Sequence, residues 1–220
     1  MMCGSFALML PLKQLLQYFS GKYDGEIKLE DELDDFQPAS AIYPTDSVPV
    51  ARSGSAGGKK GIQLETQSWG FRPDFSSRPI INARAETVKE KNTFARSFRE
   101  RRCLVPATSF FEWQERGNDG KKKYSIGLKD REIFTLAGLY RSYEIEGREM
   151  NCFTILTRPA VSRLEQIHDR MPVILGTDQD KRWMAADQPA GALQKMMLEG
   201  FREELEIDPP PEDFQQLQLF

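Results

Sequence analysis

A chain of 220 residues has room for one domain, and at this length a single core can form without disulfide staples. Hydrophobic residues at 40% and charged residues at 29% are ordinary for a soluble globular protein, and the net charge of −3 argues mildly against nucleic acid as a partner. The apolar run Phe6 to Pro11 is too short to span a bilayer and has neither a basic leader nor a small-residue cleavage site, so an intracellular, cytoplasmic protein is expected.

Three cysteines (Cys3, Cys103, Cys152) and one histidine (His168) show no metal-ligand spacing, and an intracellular location disfavours disulfides; no metal is expected. The average charge hides a pattern. Asp24 to Asp46 holds eight acids against one lysine, and Glu199 to Asp213 holds seven against one arginine. Between them, Arg72 to Arg102 carries nine basic residues against four acids. A basic face on an acidic protein suits a phosphate-binding groove; a solvated, salt-bridged helix face is the bland alternative.

Pro11 opens a predicted helix in which Leu12, Leu15, Leu16 and Phe19 recur at helical spacing and Gly21 can end it. Residues 24–40 read as acidic surface loop. Residues 47–52 and 61–69 read as strands joined by the flexible Ser53–Gly58. Phe94 and Phe98 mark a short amphipathic helix at 92–101. Strands are predicted at Cys103–Pro106, Ser109–Gln114, Lys123–Leu128, Ile133–Tyr143, Asn151–Thr157 and Pro172–Leu175. Helices are predicted at 160–167, 178–186 and 190–201, and a last strand at Glu203–Ile207 before Pro209-Pro210-Pro211. The fold class is α+β with mostly antiparallel, bent sheets.

Four segments carry candidate chemistry. The first is Met1-Met2-Cys3-Gly4. Once Cys3 is exposed it becomes a 1,2-aminothiol, whose amine and thiol both titrate near neutrality and condense with an aldehyde through an imine to a thiazolidine. It can equally serve as the nucleophile of an N-terminal amidohydrolase, or be a buried, inert cysteine. The second runs from Trp69-Gly70-Phe71-Arg72-Pro73 to Asn82-Ala83-Arg84-Ala85-Glu86-Thr87. There Arg84 suits a phosphate clamp and Asn82 the orientation of a sugar or carbonyl; a helix-start capping arrangement competes. In Phe110-Phe111-Glu112-Trp113, alternation sets Glu112 opposite Phe111 and Trp113, and desolvation among aromatics raises its pKa toward a usable proton shuttle. Trp113 suits stacking on an unpaired base. A solvent-facing edge-strand Glu is the competing reading. In the fourth segment His168, between Ile167 and Asp169-Arg170-Met171-Pro172, is either an acid/base group or a structural histidine.

Taken in order, Cys3-Gly4, Trp69-Gly70, Asn82 to Thr87, Arg102-Cys103-Leu104-Val105-Pro106, Phe111-Glu112-Trp113 and His168 to Pro172 resemble the SOS response-associated peptidase (SRAP) family of abasic-site-crosslinking proteins. The likeness spans about residues 3–175, so one SRAP-like domain over 1–220 is expected, with 190–220 matched only loosely. The resemblance implies an α+β pseudo-barrel with flanking helices and a positively charged groove. It implies a partner, single-stranded DNA containing abasic sites, with no cofactor, no membrane association, a monomeric state and nucleoid association on DNA. The implied enzyme is an autopeptidase that crosslinks abasic sites, with lyase chemistry an open possibility.

On this resemblance Cys3 is the catalytic cysteine freed by methionine removal or self-cleavage. Glu112 is the acid/base residue, His168 opens the sugar and manages reversal, and Asn82 holds the sugar. The implied DNA contacts are Arg84 and Arg170 on phosphates, Trp113 and Phe75 as stacking aromatics, and Trp69 and Arg72 of the Trp-Gly segment. Four departures matter. Two methionines precede Cys3 in place of one, Ser5 stands where the family has Arg, Ala41 where it has Asn, and the tail lacks the usual Val-containing closing strand. The rival functions are a thiol peptidase or N-terminal-cysteine amidohydrolase, and a non-covalent single-strand DNA-binding module whose Cys3 stays masked.

Overall fold

The computed structural model describes residues 3–23, 27–30, 33, 35–56, 59–117, 120–176 and 178–208. In chain order the first half holds β1 (Phe6–Leu8), α1 (Leu12–Lys22), β2 (Ile27–Leu29), β3 (Ala39–Ile42), β4 (Ser47–Ala56), β5 (Lys59–Trp69), β6 (Asn82–Arg84) and α2 (Asn92–Glu100). The second half holds β7 (Arg102–Ala107), β8 (Ser109–Glu115), β9 (Lys121–Leu128), β10 (Phe134–Ile145), β11 (Arg148–Pro159), β12 (Arg170–Pro172), β13 (Ile174–Leu175), α3 (Gln179–Met184), α4 (Ala190–Glu199) and β14 (Leu205–Asp208).

Two hairpins, a strand that bridges them and one parallel pairing make the barrel. Glu146 and Gly147, both at positive φ (54° and 75°), form the two-residue turn whose twist matches its strands, and β10 and β11 pair antiparallel from Ile145↔Arg148 to Gly138↔Ile155. β4 and β5 pair from Ser47↔Ser68 to Ala56↔Lys59. β7 lies between β4 and β10, antiparallel to both. The parallel pairing Cys152↔Ser68 and Phe153↔Trp69 then joins β11 to β5 and closes the ring β5-β4-β7-β10-β11. A second sheet runs β14-β9-β8-β1-β3.

Barrel strands are buried on both faces, so their alternation sends side chains to two different cores. Val50, Cys103, Val105, Leu136, Phe153 and Ile155 join Phe6, Phe110 and Ile126 of the second sheet. Their neighbours Ala51, Leu104, Ala137, Cys152 and Leu156 pack with Phe19 of α1, Phe98 of α2, Trp183 of α3 and Leu193 of α4. Arg102 ties this helical side together: its guanidinium donates to the carbonyls of Phe98, Arg99, Trp183 and Ala185.

The α+β pseudo-barrel with flanking helices is the observed fold. The local differences have local causes. Residues 24–40 are not all loop: β2 pairs parallel with β5, β3 pairs with β1, and Leu33 is fully buried. α1 runs one residue past Gly21. The predicted helix at 160–167 is the short 3-10 turn Ser162–Gln166. Pro172–Leu175 divides into β12 and β13, which pair with different strands. β4 and β5 extend into the expected connection, whose Gly57-Gly58 lie outside the described residues, as do Pro209–Pro211. The basic run 72–102 is not one solvent face, because Arg102 is buried in its carbonyl cage.

Gly70 fixes the exit from β5. Its φ is +123°, and a Cβ there would lie 2.5 Å from Pro79 Cβ. Gly70→Ala should therefore combine backbone strain with overpacking and cost roughly 2–4 kcal/mol. Urea unfolding measures this; an unchanged midpoint would remove Gly70 from the account of how β5 leads into β6.

Candidate active site

The start of the chain is carried to the site by strand register. β1 sets Phe6 across from Phe110, and Phe111 N donates to Ser5 O at 3.0 Å, so the residues before β1 run back along β8. Cys3 thereby meets Glu112 across 109 residues of sequence: Cys3 N donates to Glu112 Oε1 at 2.8 Å. Both residues are buried, Cys3 at 0% and Glu112 at 1% exposure. Glu112 Oε2 makes no hydrogen bond among the described residues. Met1 and Met2, on whose removal a free Cys3 amine depends, lie outside them.

Burial pushes the Glu112 carboxyl from an ordinary 4.5 up to about 7; the hydrogen bond from Cys3 N opposes that shift and the charge of Asp169 adds to it. The Cys3 thiol is held well above its usual range, first by burial and then by the Glu112 charge. Of this pair, the carboxyl is therefore the group that changes protonation near neutrality.

Asn82 reaches the same place from the opposite side. Trp69 Nε1 donates to Ile81 O at 3.0 Å, Ile155 N donates to the same carbonyl at 3.0 Å, and β6 then lies parallel to β11 with Asn82 across from Ile155. Asn82 Nδ2 donates to Cys3 O at 3.4 Å. Arg84, two residues on, shares the Asn82 face of β6 and is exposed, while Ala83 between them is buried in the core.

His168 follows the 3-10 turn. Its Nδ1 accepts from Arg170 N at 3.1 Å and also lies 3.0 Å from Asp169 Oδ1. One nitrogen cannot both accept from an amide and donate to a carboxylate. The backbone amide is fixed by β12, whereas the Asp169 side chain is 84% exposed, so the neutral ring keeps its proton on Nε2. Glu112 and His168 line one cleft of about 310 Å³ with Trp113, Gln114, Gln166 and Ile167. Among the described residues no group of three metal-binding side chains converges.

Cys3, Asn82, Glu112 and His168 thus come together from four separate stretches of chain. The expected DNA contacts divide. Phe75 is 76% exposed, Arg84 is exposed and Trp113 is half-buried at the cleft. Two expectations are corrected. Trp69 is fully buried, parallel to Phe153 with ring centres 6.2 Å apart and edge-on to Phe6 at 5.2 Å, so it has no face left for a base. Arg170 is buried, with Nη1 and Nη2 taken up by both carboxylate oxygens of Glu86 and by Thr157 O at 2.9 Å and Nε without a partner among the described residues, so it sits as an anchor of β12 and not on the surface where a phosphate contact was expected. Arg72 is half-buried, leaning on Cys152 and Tyr143. Gln114 and Gln166 belong to the cleft although no motif marked them; the hydrogen bond from Gln114 Nε2 to Gln166 O that joins them is a tertiary contact without a sequence signature.

A carboxyl raised by folding makes the native state bind more protons than the unfolded chain between about pH 4.5 and 7, so its contribution to stability falls as pH rises through that window. Glu112→Gln removes this penalty and keeps an acceptor for Cys3 N. The variant should match wild type near pH 4.5 and exceed it above pH 7 by up to about 3 kcal/mol. Parallel stability curves across that range would show that Glu112 does not titrate there.

The SOS response associated peptidase (SRAP) family model matches residues 2–213. The chain is 31% identical over 191 residues to the abasic site processing protein YoqW of Bacillus subtilis, covering 83% of this chain and 80% of the relative. It is 30% identical over 151 residues to the abasic site processing protein YedK of Escherichia coli, covering 64% and 68% respectively. In fold it is similar to a crystal structure of a Bacteroides thetaiotaomicron protein, with a TM-score of 0.80 and 22% identity over 97% of this chain and 94% of that one. A site assembled from the family's motifs in the family's order, on a matching fold, leads to one statement: the chain belongs to the SRAP family.

Proposed function

We propose that this protein binds single-stranded DNA containing abasic sites and captures the lesion covalently on Cys3 once Met1 and Met2 have been removed. The observation that carries the reading is the 2.8 Å contact between Cys3 N and the buried Glu112 carboxylate. A peptide nitrogen gains little chemistry from such a partner. A free α-amine in the same position gains a proton acceptor whose pKa lies near 7.

The order of steps follows from the two titrations. The buried Cys3 thiol stays protonated at neutral pH, so the amine attacks first. Its nitrogen adds to the aldehyde carbon of the ring-opened sugar, Glu112 takes up the proton, and loss of water leaves an imine. The thiol sulfur then adds to the imine carbon while its proton passes to nitrogen, closing a five-membered thiazolidine with net release of one water. Holding aldehyde and aminothiol together makes both additions effectively intramolecular. Asn82 holds the Cys3 carbonyl, and His168, with its proton on Nε2, suits hydrogen-bond donation to the ring oxygen as the hemiacetal opens. Arg84, Phe75 and Trp113 are the proposed contacts to backbone and bases.

A thiol peptidase reading is less well supported. Such enzymes lower the thiol pKa with a neighbouring cation, whereas burial and Glu112 both raise it here. Self-cleavage of the Met2–Cys3 bond remains part of the proposal, as the event that frees the amine.

A denaturing gel with a single-stranded oligonucleotide carrying one abasic site tests the reading. Wild type whose intact mass shows a free Cys3 should give a heat-stable band that needs both the lesion and Cys3, and Cys3→Ala should give none. Absence of the band from such wild type would overturn the proposal. Glu112→Gln should crosslink on the order of 10²-fold more slowly and lose the rise in rate expected of wild type up to about pH 7. An unaltered pH–rate profile in that variant would remove Glu112 as the proton acceptor.

A further inference from the structure

The β8–β9 hairpin reaches beyond both of its neighbours. β1 pairs with β8 only at Ser109 and Phe110, and β14 pairs with β9 only from Ser125 to Leu128. From Glu112↔Tyr124 to Glu115↔Lys121 the ribbon therefore has no third strand among the described residues. A bare two-stranded ribbon is marginal in water. This one is braced at its root by Gln114 Nε2 on Gln166 O at 2.8 Å.

Its charge is opposite to that of the whole chain. Trp113 to Tyr124 holds four basic residues against two acids, in a protein of net charge −3. Alternation sorts these residues onto two faces. On one face Lys123 Nζ sits 4.1 Å from the Phe111 ring centre and 5.4 Å from that of Trp113, and Lys121 pairs with Glu115 at 2.8 Å. On the other, Tyr124 Oη donates to Gln114 Oε1 at 3.1 Å, the Arg116 guanidinium lies against both, and Lys122 Nζ lies 5.0 Å from the Tyr124 ring centre. On this second face Arg116 and Lys122 form no ion pair among the described residues. Their tyrosine and glutamine partners hold the side chains in place without neutralising them.

We propose that this ribbon is a nucleic-acid arm: Arg116 and Lys122 hold backbone phosphates of the single strand where it leaves the cleft between Trp113 and His168. The inference rests on the single-stranded DNA reading above and adds a binding element to it. Charge complementarity commits the arm to a polyanion. Its root in the Glu112–His168 cleft, with a half-buried Trp113 beside it, favours a nucleic-acid strand over an acidic peptide, because an indole face stacks on an unpaired base. Neutralising phosphates releases counterions, and each cation on a single strand contributes about 0.7 to the slope of log affinity against log salt.

Anisotropy titration of a lesion-free labelled oligothymidylate across a salt series tests the arm. Arg116→Gln/Lys122→Gln should bind several-fold more weakly at low salt, and its salt slope should be shallower than wild type by about 1.4. Unchanged affinity and slope in the double variant would overturn the proposal, as would wild type that does not bind the lesion-free strand at all. Crosslinking of the abasic oligonucleotide by wild type is scored in parallel. A crosslinking wild type with an unaltered double-variant slope would sink the arm alone, whereas failure of wild type to crosslink would sink the covalent-capture reading itself.

Discussion

A carboxylate is buried at the junction of the barrel and the second sheet, and among the described residues one hydrogen-bond donor reaches it, the nitrogen of Cys3. Glu112 Oε1 has that partner and Oε2 has none among the described residues. Burying such a group costs free energy that a well-packed leucine would not, and it resists ionisation for the same reason. The cost is local and the geometry built around it is extensive: β1 must enter the second sheet in a single register for Cys3 N to arrive. A half-satisfied buried acid set against the first described residue of the chain is a poor way to stabilise a fold. It is a good way to hold an acid whose pKa lies near 7 against the nitrogen of Cys3.

The barrel supplies the rigidity that this contact needs. Its strands are packed on both faces, so a shift in one disturbs two cores together. The parallel closure at Phe153↔Trp69 fixes Trp69 against Phe6 and Phe153, and the indole nitrogen in turn holds the Ile81 carbonyl. Asn82 follows directly. Arg170, bound to Glu86 and Thr157, does the same for the end of β12 and so for the His168 turn. Two motif residues that read as DNA contacts are therefore braces, one for each side of the site.

Much of this was legible beforehand. Alternating apolar and β-branched runs marked the long strands from 47 onward, and Phe94 and Phe98 marked α2, because these elements are long enough to show their own period. β1, β2, β3 and β6 were not legible: each has three or four residues, and its partner lies far away in sequence. The acid between aromatics at Glu112 announced its shifted titration, since desolvation follows from its neighbours in the strand. The burial of Trp69 and Arg170 could not be read from their motifs, because an ordered motif marks residues that hold a site in shape as readily as those that touch a ligand. The β8–β9 arm was missed for a related reason. Its basic residues fall outside the 72–102 stretch, and only the lengths of β1 and β14 leave them projecting.

The central claim is that the nitrogen and the sulfur of Cys3 both become bonded to the same carbon of the lesion. Tandem mass spectrometry of the nuclease-trimmed, protease-digested adduct reads this directly. The account predicts a sugar remnant on an N-terminal peptide beginning at Cys3, one water lighter than the sum of its parts, with neither amine nor thiol open to labelling. A remnant on a lysine, or on a Cys3 whose amine is still joined to Met2, would contradict it.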